Sequence, residues 1–237
     1  MQGQSAAVFG GSSGIGLATA EHLLRSGLVV TIVGRSPERL QAAKAQLQGR
    51  TIPVALDCAD SNQVAEFFAG RDGIDHVVIS LAGGAALGPF SSVGEAEFRA
   101  TFDGKLWPYI NVMREASPRL SPEGSLTLVT GASALAATPG AASLAAVNGA
   151  LEGMIKTLAV ELAPLRVNAV SPGLTDTAAW QRIPTEIREQ MYAKAAAETP
   201  AGRVGRADDV AMAVVAVVAN PFLTGLVLPC DGGKRLT

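Results

Sequence analysis

Residues 6–16 read AAVFGGSSGIG, a short apolar stretch that runs directly into a glycine-rich turn. The residues that follow, from Gly14 to Ser26, have the apolar spacing of a helix, and Gly27 closes it. A strand, a glycine turn and a helix in this order are typical of the first unit of a parallel α/β sheet.

The same alternation continues along the chain. Seven short apolar, β-branched stretches predict strands over Ala6–Phe9, Val29–Val33, Thr51–Ala55, Val77–Ser80, Ser125–Thr130, Arg166–Val170 and Leu226–Leu228. Helices are predicted over Gly14–Ser26, Pro37–Leu47, Asn62–Phe68, Ala141–Leu162 and Val210–Ala219. A further long helix is predicted from about Val93, with a kink at Pro108. Strands that are apolar on both faces indicate a doubly wound, Rossmann-type sheet of seven parallel strands with helices on both faces. We expect one domain spanning residues 1–237.

Local signals refine the element ends. Ser36 and Pro37 have the types preferred at a helix start, and Ser92 with Glu95 has capping-box spacing. Three irregular stretches are predicted to be loops: Gly83–Ser91, Gly131–Gly140 and Gly173–Gly205.

Composition narrows the function classes. The 237 residues are 48% hydrophobic and carry a net charge of −2 without runs of like charge, so no nucleic-acid partner is expected. The longest apolar run ends at Asn220-Pro221, too short to span a bilayer, and no export signal opens the chain. Two distant cysteines, Cys58 and Cys230, indicate neither a zinc site nor a disulfide framework. We therefore expect a cytoplasmic protein without a metal or membrane partner.

The glycine turn predicts an anion site. Backbone amides of the turn and of the helix N-terminus after it can face a pyrophosphate, as in dinucleotide-binding sites. Residues 10–14 also match the Gly-x-Ser-x-Gly nucleophile elbow of α/β-hydrolases. That interpretation requires a histidine late in the chain, but the two histidines, His22 and His76, both come early and are interpreted as surface or strand-edge residues.

Five motifs in order resemble the short-chain dehydrogenase/reductase family over nearly the whole chain. They are the Gly10/Gly14/Gly16 loop, Asp57 after the third strand, Ala82-Gly83 within Ser80–Gly83, the segment Val167–Gly173 with Thr177, and Gly225 with Asp231–Gly233. The resemblance implies a nicotinamide dinucleotide site. Its residues would be Gly10, Ser12, Ser13, Gly14, Ile15, Gly16, Arg35, Asp57, Cys58, Ala82, Gly83, Asn148, Pro172, Gly173, Leu174, Thr175 and Thr177.

The end of the second strand predicts which nucleotide is bound. In this family an acidic residue there bonds the adenosine ribose of NAD, whereas this chain has Gly34-Arg35. A guanidinium can bond a 2′-phosphate through its planar fork, so NADP(H) is favoured. The alternative is that Arg35 is a solvated charge paired with Glu38.

The catalytic positions implied by the resemblance are all changed. Aligned on Ala150–Gly153, the family's Ser, Tyr and Lys positions hold Gly131, Leu144 and Asn148. Aligned on Phe102–Gly104, the family's Asn position holds Lys105. Lysine and asparagine have thus exchanged places. The candidate catalytic residues are Lys105, Asn148, Thr130, Ser133 and Tyr109. Lys105 as a solvent-exposed residue and Tyr109 as a packing residue remain the alternatives.

A missing proton donor predicts unusual chemistry. General acid catalysis contributes roughly 10²–10⁴ in rate, so a simple ketone is a poor acceptor here. The leading hypothesis is an NADPH-dependent reductase of a small, largely apolar acceptor such as an imine or iminium, with a substrate lid over about 174–205 that includes Trp180 and Tyr192. The alternatives are an NADP-binding protein without redox turnover, or non-redox chemistry on the same scaffold. The resemblance also implies a homotetramer or homodimer formed through Ala141–Leu162 and Ala207–Ala219.

Overall fold

The computed structural model describes residues 1–71, 73–84, 86–181 and 183–237. Its strands are β1 Ser5–Phe9, β2 Val29–Gly34, β3 Thr51–Ala55, β4 Ile74–Ile79, β5 Leu120–Val129, β6 Arg166–Pro172, β7 Thr175–Asp176, β8 Gly205–Arg206 and β9 Val227–Cys230. Its helices are α1 Gly14–Arg25, α2 Pro37–Gln46, α3 Ser61–Phe68, α4 Glu95–Ala116, α5 Ala142–Glu161, α6 Thr185–Glu198 and α7 Ala207–Ala219. Short 3-10 turns occupy Phe90–Ser92, Ala132–Ala134, Ala178–Trp180 and Lys234–Leu236.

The main sheet is parallel throughout and confirms the predicted fold class. Its seven strands lie in the order β3-β2-β1-β4-β5-β6-β9. Successive strands are added outward in one direction from β1 to β3 and in the opposite direction from β4 onward, so the boundary between β1 and β4 is the switch point where doubly wound sheets bind ligands. The two-residue strands β7 and β8 pair separately.

Each face of the sheet carries its own apolar core. One core packs α3, α4 and α5 on the sheet, and at its centre the ring of Phe9 contacts those of Phe67 and Phe68 at centroid distances of 5.4 and 5.8 Å. The other core joins α1, α2 and α7 to the opposite face. Because both faces are covered, the strands are apolar on both sides, as their sequences predict.

The loop predicted over Gly173–Gly205 contains regular structure. Helix α6 spans Thr185–Glu198, and no side chain of this helix is buried. Its sequence favours a helix through Ala, Glu and Lys, but it lacks the apolar face by which a helix is detected from periodicity. The predicted lid is therefore largely a helix.

The start of α4 also differs from its prediction. The helix begins at Glu95, and the backbone N–H of Gly94 donates to Glu97 Oε2 at 2.9 Å, so the cap uses Gly94 with Glu97 and not Ser92 with Glu95. Pro108 lies inside the helix, as expected. Within the described residues, no helix is both long and apolar enough to cross a membrane.

His76 is buried at the amino-terminal end of β4, contrary to the expectation of a surface or edge residue. Only 2% of it is exposed, and its Nδ1 lies 2.9 Å from Ser125 Oγ on β5. Nearby, the guanidinium of Arg166 donates to the carbonyls of Val217 and Val218 at the end of α7. Burial, with a smaller contribution from the charge of Arg166, lowers the pKa of His76 from 6.5 to about 4.

This burial predicts acid sensitivity. The unfolded chain takes up a proton on His76 near pH 6.5, whereas the folded chain does so only near pH 4. The free energy of unfolding should therefore fall as pH falls through this window, by up to about 3 kcal/mol, and the loss from this group should level off below it. Denaturant titrations of the wild type and of His76→Asn measure the effect. If the free energy of unfolding changed with pH equally in the two proteins, the prediction would be contradicted. His22→Asn, which changes the other histidine, is the control.

Candidate cofactor and catalytic site

The predicted site residues meet at the carboxyl ends of β1, β4, β5 and β6. The glycine turn leaves β1, Ala82 and Gly83 follow β4, Thr130 follows β5, and Pro172 ends β6. A ligand at this edge faces the switch point between β1 and β4. The sheet order thus brings together segments that lie far apart in the sequence.

Glycine is required at two positions of the turn by close backbone contacts. A Cβ on Gly10, whose φ is +86°, would lie 2.2 Å from the Ser80 carbonyl oxygen. A Cβ on Gly16 would lie 2.2 Å from the Gly10 carbonyl oxygen. The start of α1 therefore packs directly on the turn, and the turn packs directly on the residue after β4. This close packing fixes the direction of the first backbone N–H groups of α1.

The N-terminus of α1 is suited to an anion. Ser13 is the N-cap residue and its side chain makes no cap hydrogen bond, while the first turn of α1, which includes Ile15, contains no acidic residue. The first N–H groups of a helix lack partners within it and favour negative charge. Thr177 lies against this turn, 3.3 Å from the position of a Gly14 Cβ.

The end of β2 is open beside the turn. Gly34 has no side chain, and the Ser12 hydroxyl lies 3.3 Å from where its Cβ would be. Arg35 next to it is exposed, and the Glu38 carboxylate accepts a hydrogen bond from Ser36 Oγ at 2.7 Å. Among the described residues no ion pair between Arg35 and Glu38 is found, so the guanidinium is available to a ligand.

Asp57 and Cys58 follow β3 on the same side of the site. Asp57 Oδ1 accepts from the N–H of Ala59 at 3.0 Å, and its own N–H donates to Gln63 Oε1 at 3.0 Å. The Cys58 thiol is buried, and burial together with the charge of Asp57 raises its pKa to about 12. The Cys58 thiol therefore stays protonated and fills space in the core, and it is unsuited to act as a nucleophile.

The segment after β6 is tied to several neighbours. The Gly173 N–H donates to Cys230 O at 3.1 Å, and Thr175 Oγ1 donates to Gly173 O at 2.9 Å. Leu174 O accepts from the N–H of Gly205 at 2.9 Å. These contacts order the segment that the sequence assigns to the nicotinamide end of the site.

Two aromatic residues of the predicted lid are attached to the same segment. Trp180 Nε1 donates to Thr175 O at 3.0 Å, and the Tyr192 hydroxyl donates to Asp176 Oδ1 at 3.0 Å. Both polar tips are thereby engaged within the chain. The contacts anchor the residues before α6, and α6 itself, to the end of the sheet.

Lys105 is buried, which overturns the alternative that it is solvent-exposed. Only 8% of the residue is exposed, and its Nζ donates to Asn148 Oδ1 at 2.7 Å and to Thr130 O at 2.9 Å. Burial lowers the pKa of Lys105 to about 8, and the nearby carboxylate of Glu152 acts in the opposite direction. The two residues that exchange family positions are thus in direct contact.

The two hydroxyls beside Gly131 have different surroundings. Asn148 Nδ2 donates to Ser133 Oγ at 3.0 Å, which leaves the Ser133 proton available to another acceptor. Thr130 Oγ1 donates to Glu152 Oε1 at 2.7 Å, and Ser171 Oγ donates to the same oxygen at 2.8 Å. Ser133 is therefore the better placed of the two to bond a ligand.

Glu152 and Ser171 were not predicted as site residues. Glu152 belongs to the segment Ala150–Gly153, on which the family's catalytic positions were aligned, and no role in the site was assigned to it. It lies four residues after Asn148 and hence on the same helical face. That spacing was the available signal. Ser171 offered none, because its contact depends on the packing of α5 against β6.

Glycine at 131 and asparagine at 148 fit one another. A Cβ on Gly131 would lie 2.8 Å from Asn148 Nδ2, and a Cβ on Gly83 would lie 3.0 Å from Lys105 Cβ. The absence of both side chains makes room for the contact between Lys105 and Asn148. Leu144, one turn before Asn148 on α5, is half-buried and carries no polar group.

Tyr109 is fully enclosed. It has no exposed surface, and its hydroxyl donates to Val129 O at 2.5 Å. Burial raises its pKa above the ordinary value of a tyrosine. These observations favour a packing role and give no route for proton transfer to a ligand.

Comparisons with known proteins agree on one family. The family model described as enoyl-(acyl carrier protein) reductase matches residues 10–235. The short-chain dehydrogenase/reductase MalC of Malbranchea aurantiaca is 30% identical and aligns with 100% of this chain and 96% of its own. The structure of MalC, described as a reductase/Diels-Alderase, superposes with a TM-score of 0.91 at 27% identity, covering 100% of this chain and 98% of its own.

Two solved structures that contain NADPH are also similar. A small-chain dehydrogenase in complex with NADPH is 31% identical, with a TM-score of 0.86 and complete coverage of both chains. An NADPH-bound short-chain oxidoreductase from Pseudomonas aeruginosa PAO1, described as containing an atypical catalytic center, is 25% identical, with a TM-score of 0.88 and 98% coverage of each chain.

Proposed function

This chain belongs to the short-chain dehydrogenase/reductase family, and from that premise we propose that it is an NADPH-dependent reductase with an atypical catalytic centre. The observation that carries the proposal is the buried chain of hydrogen bonds from Lys105 through Asn148 to Ser133, next to a glycine turn that fits a pyrophosphate. The NADPH-bound oxidoreductase with an atypical centre supports the same assignment.

The cofactor fits the residues at the carboxyl edge of the sheet. The amides of the turn and of α1 would hold the pyrophosphate, and Arg35 with Ser12 would hold the 2′-phosphate. Asp57 would face the adenine, and the segment Pro172–Thr177 would face the nicotinamide. When bound, NADPH supplies a hydride, and the protein orients the acceptor towards it.

The acceptor is proposed to be one that requires little acid assistance. Gly131 and Leu144 cannot donate a proton, and the hydroxyl of Tyr109 is engaged with a main-chain carbonyl. A protonated imine or iminium accepts hydride without generating an alkoxide, whereas a ketone does generate one. Ser133 would bond the heteroatom of the acceptor, within a wall rich in Ala and Leu over residues 132–147.

A substrate screen tests this proposal. NADPH oxidation is measured against a series of apolar ketones and the matching imines, with the wild type and with Lys105→Ala. We expect turnover of imines, little turnover of ketones, and a loss of turnover or NADPH affinity worth about 1–3 kcal/mol in the variant. Tight NADPH binding without turnover of either series would favour the NADP-binding alternative without redox chemistry.

Arg35 provides a prediction about cofactor choice. The wild type is expected to bind NADPH at least about tenfold more tightly than NADH, because a charge-assisted bond to the 2′-phosphate contributes about 1.5–3 kcal/mol. Arg35→Ala should remove most of this preference and leave NADH affinity unchanged. Calorimetric titration of both nucleotides measures it, with Arg39→Ala as a neighbouring control. A preference that survives Arg35→Ala would contradict the assignment.

The assembly is proposed to be a homotetramer or homodimer. Both α5 and α7 present apolar side chains on their outer surfaces, among them Val160, which is 80% exposed, and Met212, which is 53% exposed. Light scattering at micromolar concentration should give a mass at least twice that of the chain. A monomeric mass would contradict it, and Val160→Glu should shift the distribution towards smaller species.

A further inference from the structure

Lys105 and Asp57 lie on opposite sides of the switch point of the sheet. Asp57, which would face the adenine in the proposed site, follows β3 beyond β2, while Lys105 contacts Thr130 at the end of β5 on the other side of the switch point. Gly83 after β4 lies against the stem of the same lysine. A dinucleotide that crosses the switch point with its adenine near Asp57 therefore places its nicotinamide near Lys105.

Little negative charge lies near the ammonium of Lys105. Its two hydrogen-bond partners are neutral, the carbonyl of Thr130 and the amide of Asn148. Among the residues that the structure describes, the titratable groups that face it are Glu152 on α5 and Tyr109 on its own helix, and burial keeps Tyr109 neutral. The oxygen Glu152 Oε1 already accepts from two hydroxyls, which fix the carboxylate between β5 and β6.

We propose that Lys105 makes the cofactor site selective for the reduced nucleotide. The nicotinamide ring is neutral in NADPH and positively charged in NADP⁺, so a buried ammonium nearby disfavours only the oxidised form. The wild type would retain NADPH and release NADP⁺ readily, which favours exchange of the spent cofactor without changing the equilibrium of the overall reaction. The inference rests on the NADPH site of the proposed function, but not on the identity of the acceptor.

Protonation links the two charges. Because burial lowers the pKa of Lys105 to about 8, the repulsion is present below that pH and is lost above it. NADP⁺ binding should therefore release a proton from Lys105 near neutral pH, whereas NADPH binding should not. Both nucleotides carry the same 2′-phosphate, so the ratio of their dissociation constants cancels the titration of that group.

Calorimetric titration with NADPH and with NADP⁺ tests the proposal without any substrate. The ratio of the NADP⁺ to the NADPH dissociation constant is measured at roughly pH 6.5 and roughly pH 9.5, on either side of the lysine pKa. We expect the wild-type ratio to fall at least about tenfold between the two, because two unit charges within about 10 Å of one another interact at least that strongly at an effective dielectric constant of about 20. Titration of NADP⁺ in two buffers with different ionisation enthalpies reports the released proton.

Charge variants separate this role from packing. Lys105→Met should give a low ratio that does not change with pH, and Lys105→Arg should keep a high ratio at both pH values. Glu152→Gln should raise the ratio at roughly pH 6.5, where Lys105 remains charged. Lys156→Met, which removes an exposed charge from α5, should behave as the wild type does. Should Lys105→Met fail to fold, the wild-type pH dependence and Lys105→Arg still decide the question.

The outcomes distinguish two failures. Tight NADPH binding with a ratio that is independent of pH, or unchanged in Lys105→Met, would overturn the selectivity and leave the proposed reductase standing. Failure of the wild type to bind either nucleotide would overturn both proposals.

Discussion

Ketone reduction by NADPH is expected to rise about 10²- to 10⁴-fold when four residues are exchanged together: Gly131→Ser, Leu144→Tyr, Asn148→Lys and Lys105→Asn. The exchange supplies the hydroxyl donors that positions 131 and 144 lack and places an ammonium one helical turn after the new tyrosine. Initial rates of NADPH oxidation with a simple apolar ketone measure the gain.

The four changes are expected to work only as a set. A side chain on Gly131 would meet the amide of Asn148, since its Cβ would lie 2.8 Å from Asn148 Nδ2. Lys105 would also lose a partner 2.7 Å away if Asn148 alone were replaced. Gly131→Ser by itself should therefore weaken the contact between Asn148 and Ser133 and give no ketone activity.

The matched control keeps Leu144 and makes the other three changes. It repacks the same cluster without a tyrosine, so its ketone rate should stay at the wild-type level. A full variant that folds and binds NADPH without gaining ketone activity would show that a missing acid does not limit the reaction. Efficient ketone turnover by the wild type would show that a different proton donor is already present.

NADPH affinity is expected to fall by about 100-fold in Gly16→Ala. The added Cβ would lie 2.2 Å from the Gly10 carbonyl oxygen, a backbone atom that cannot rotate away. The start of α1 must then move from the turn, which breaks one or two amide contacts to the pyrophosphate at about 1.5–3 kcal/mol each. The same displacement should lower the free energy of unfolding by about 1–3 kcal/mol.

A second glycine provides the control for this variant. Gly153 lies in α5, and a Cβ there would meet no atom within 4 Å. Gly153→Ala should raise stability by up to about 1 kcal/mol through helix propensity and leave NADPH affinity unchanged. Equal NADPH affinities in Gly16→Ala and Gly153→Ala would contradict the role assigned to the turn.

The strands and most helices were predictable because a buried parallel sheet forces apolar residues onto both faces. The pattern predicts Thr51–Ala55 in full and places the other strands of the main sheet within a few residues. Helix α6 was missed because its side chains are not buried and leave no periodic apolar signal.

The cofactor side of the site was predictable for a different reason. Where a Cβ would clash with a backbone oxygen, as at Gly10 and Gly16, only glycine is accommodated. The resulting glycine spacing is a motif that can be recognised in the sequence. The catalytic side depends on side chains from α4, α5 and β6 that meet only in the folded chain. The burial of Lys105 and the part played by Glu152 follow from that packing, and no local pattern encodes them.

Helix α6 should be locally less stable than the sheet and the helices that pack on it. With none of its side chains buried, α6 can separate from the domain without exposing any part of either apolar core. Segments with little buried apolar area open with free energies far below that of global unfolding. We therefore expect the backbone amides of α6 to exchange with solvent well before those of the main sheet, the glycine turn and the segment around the buried lysine.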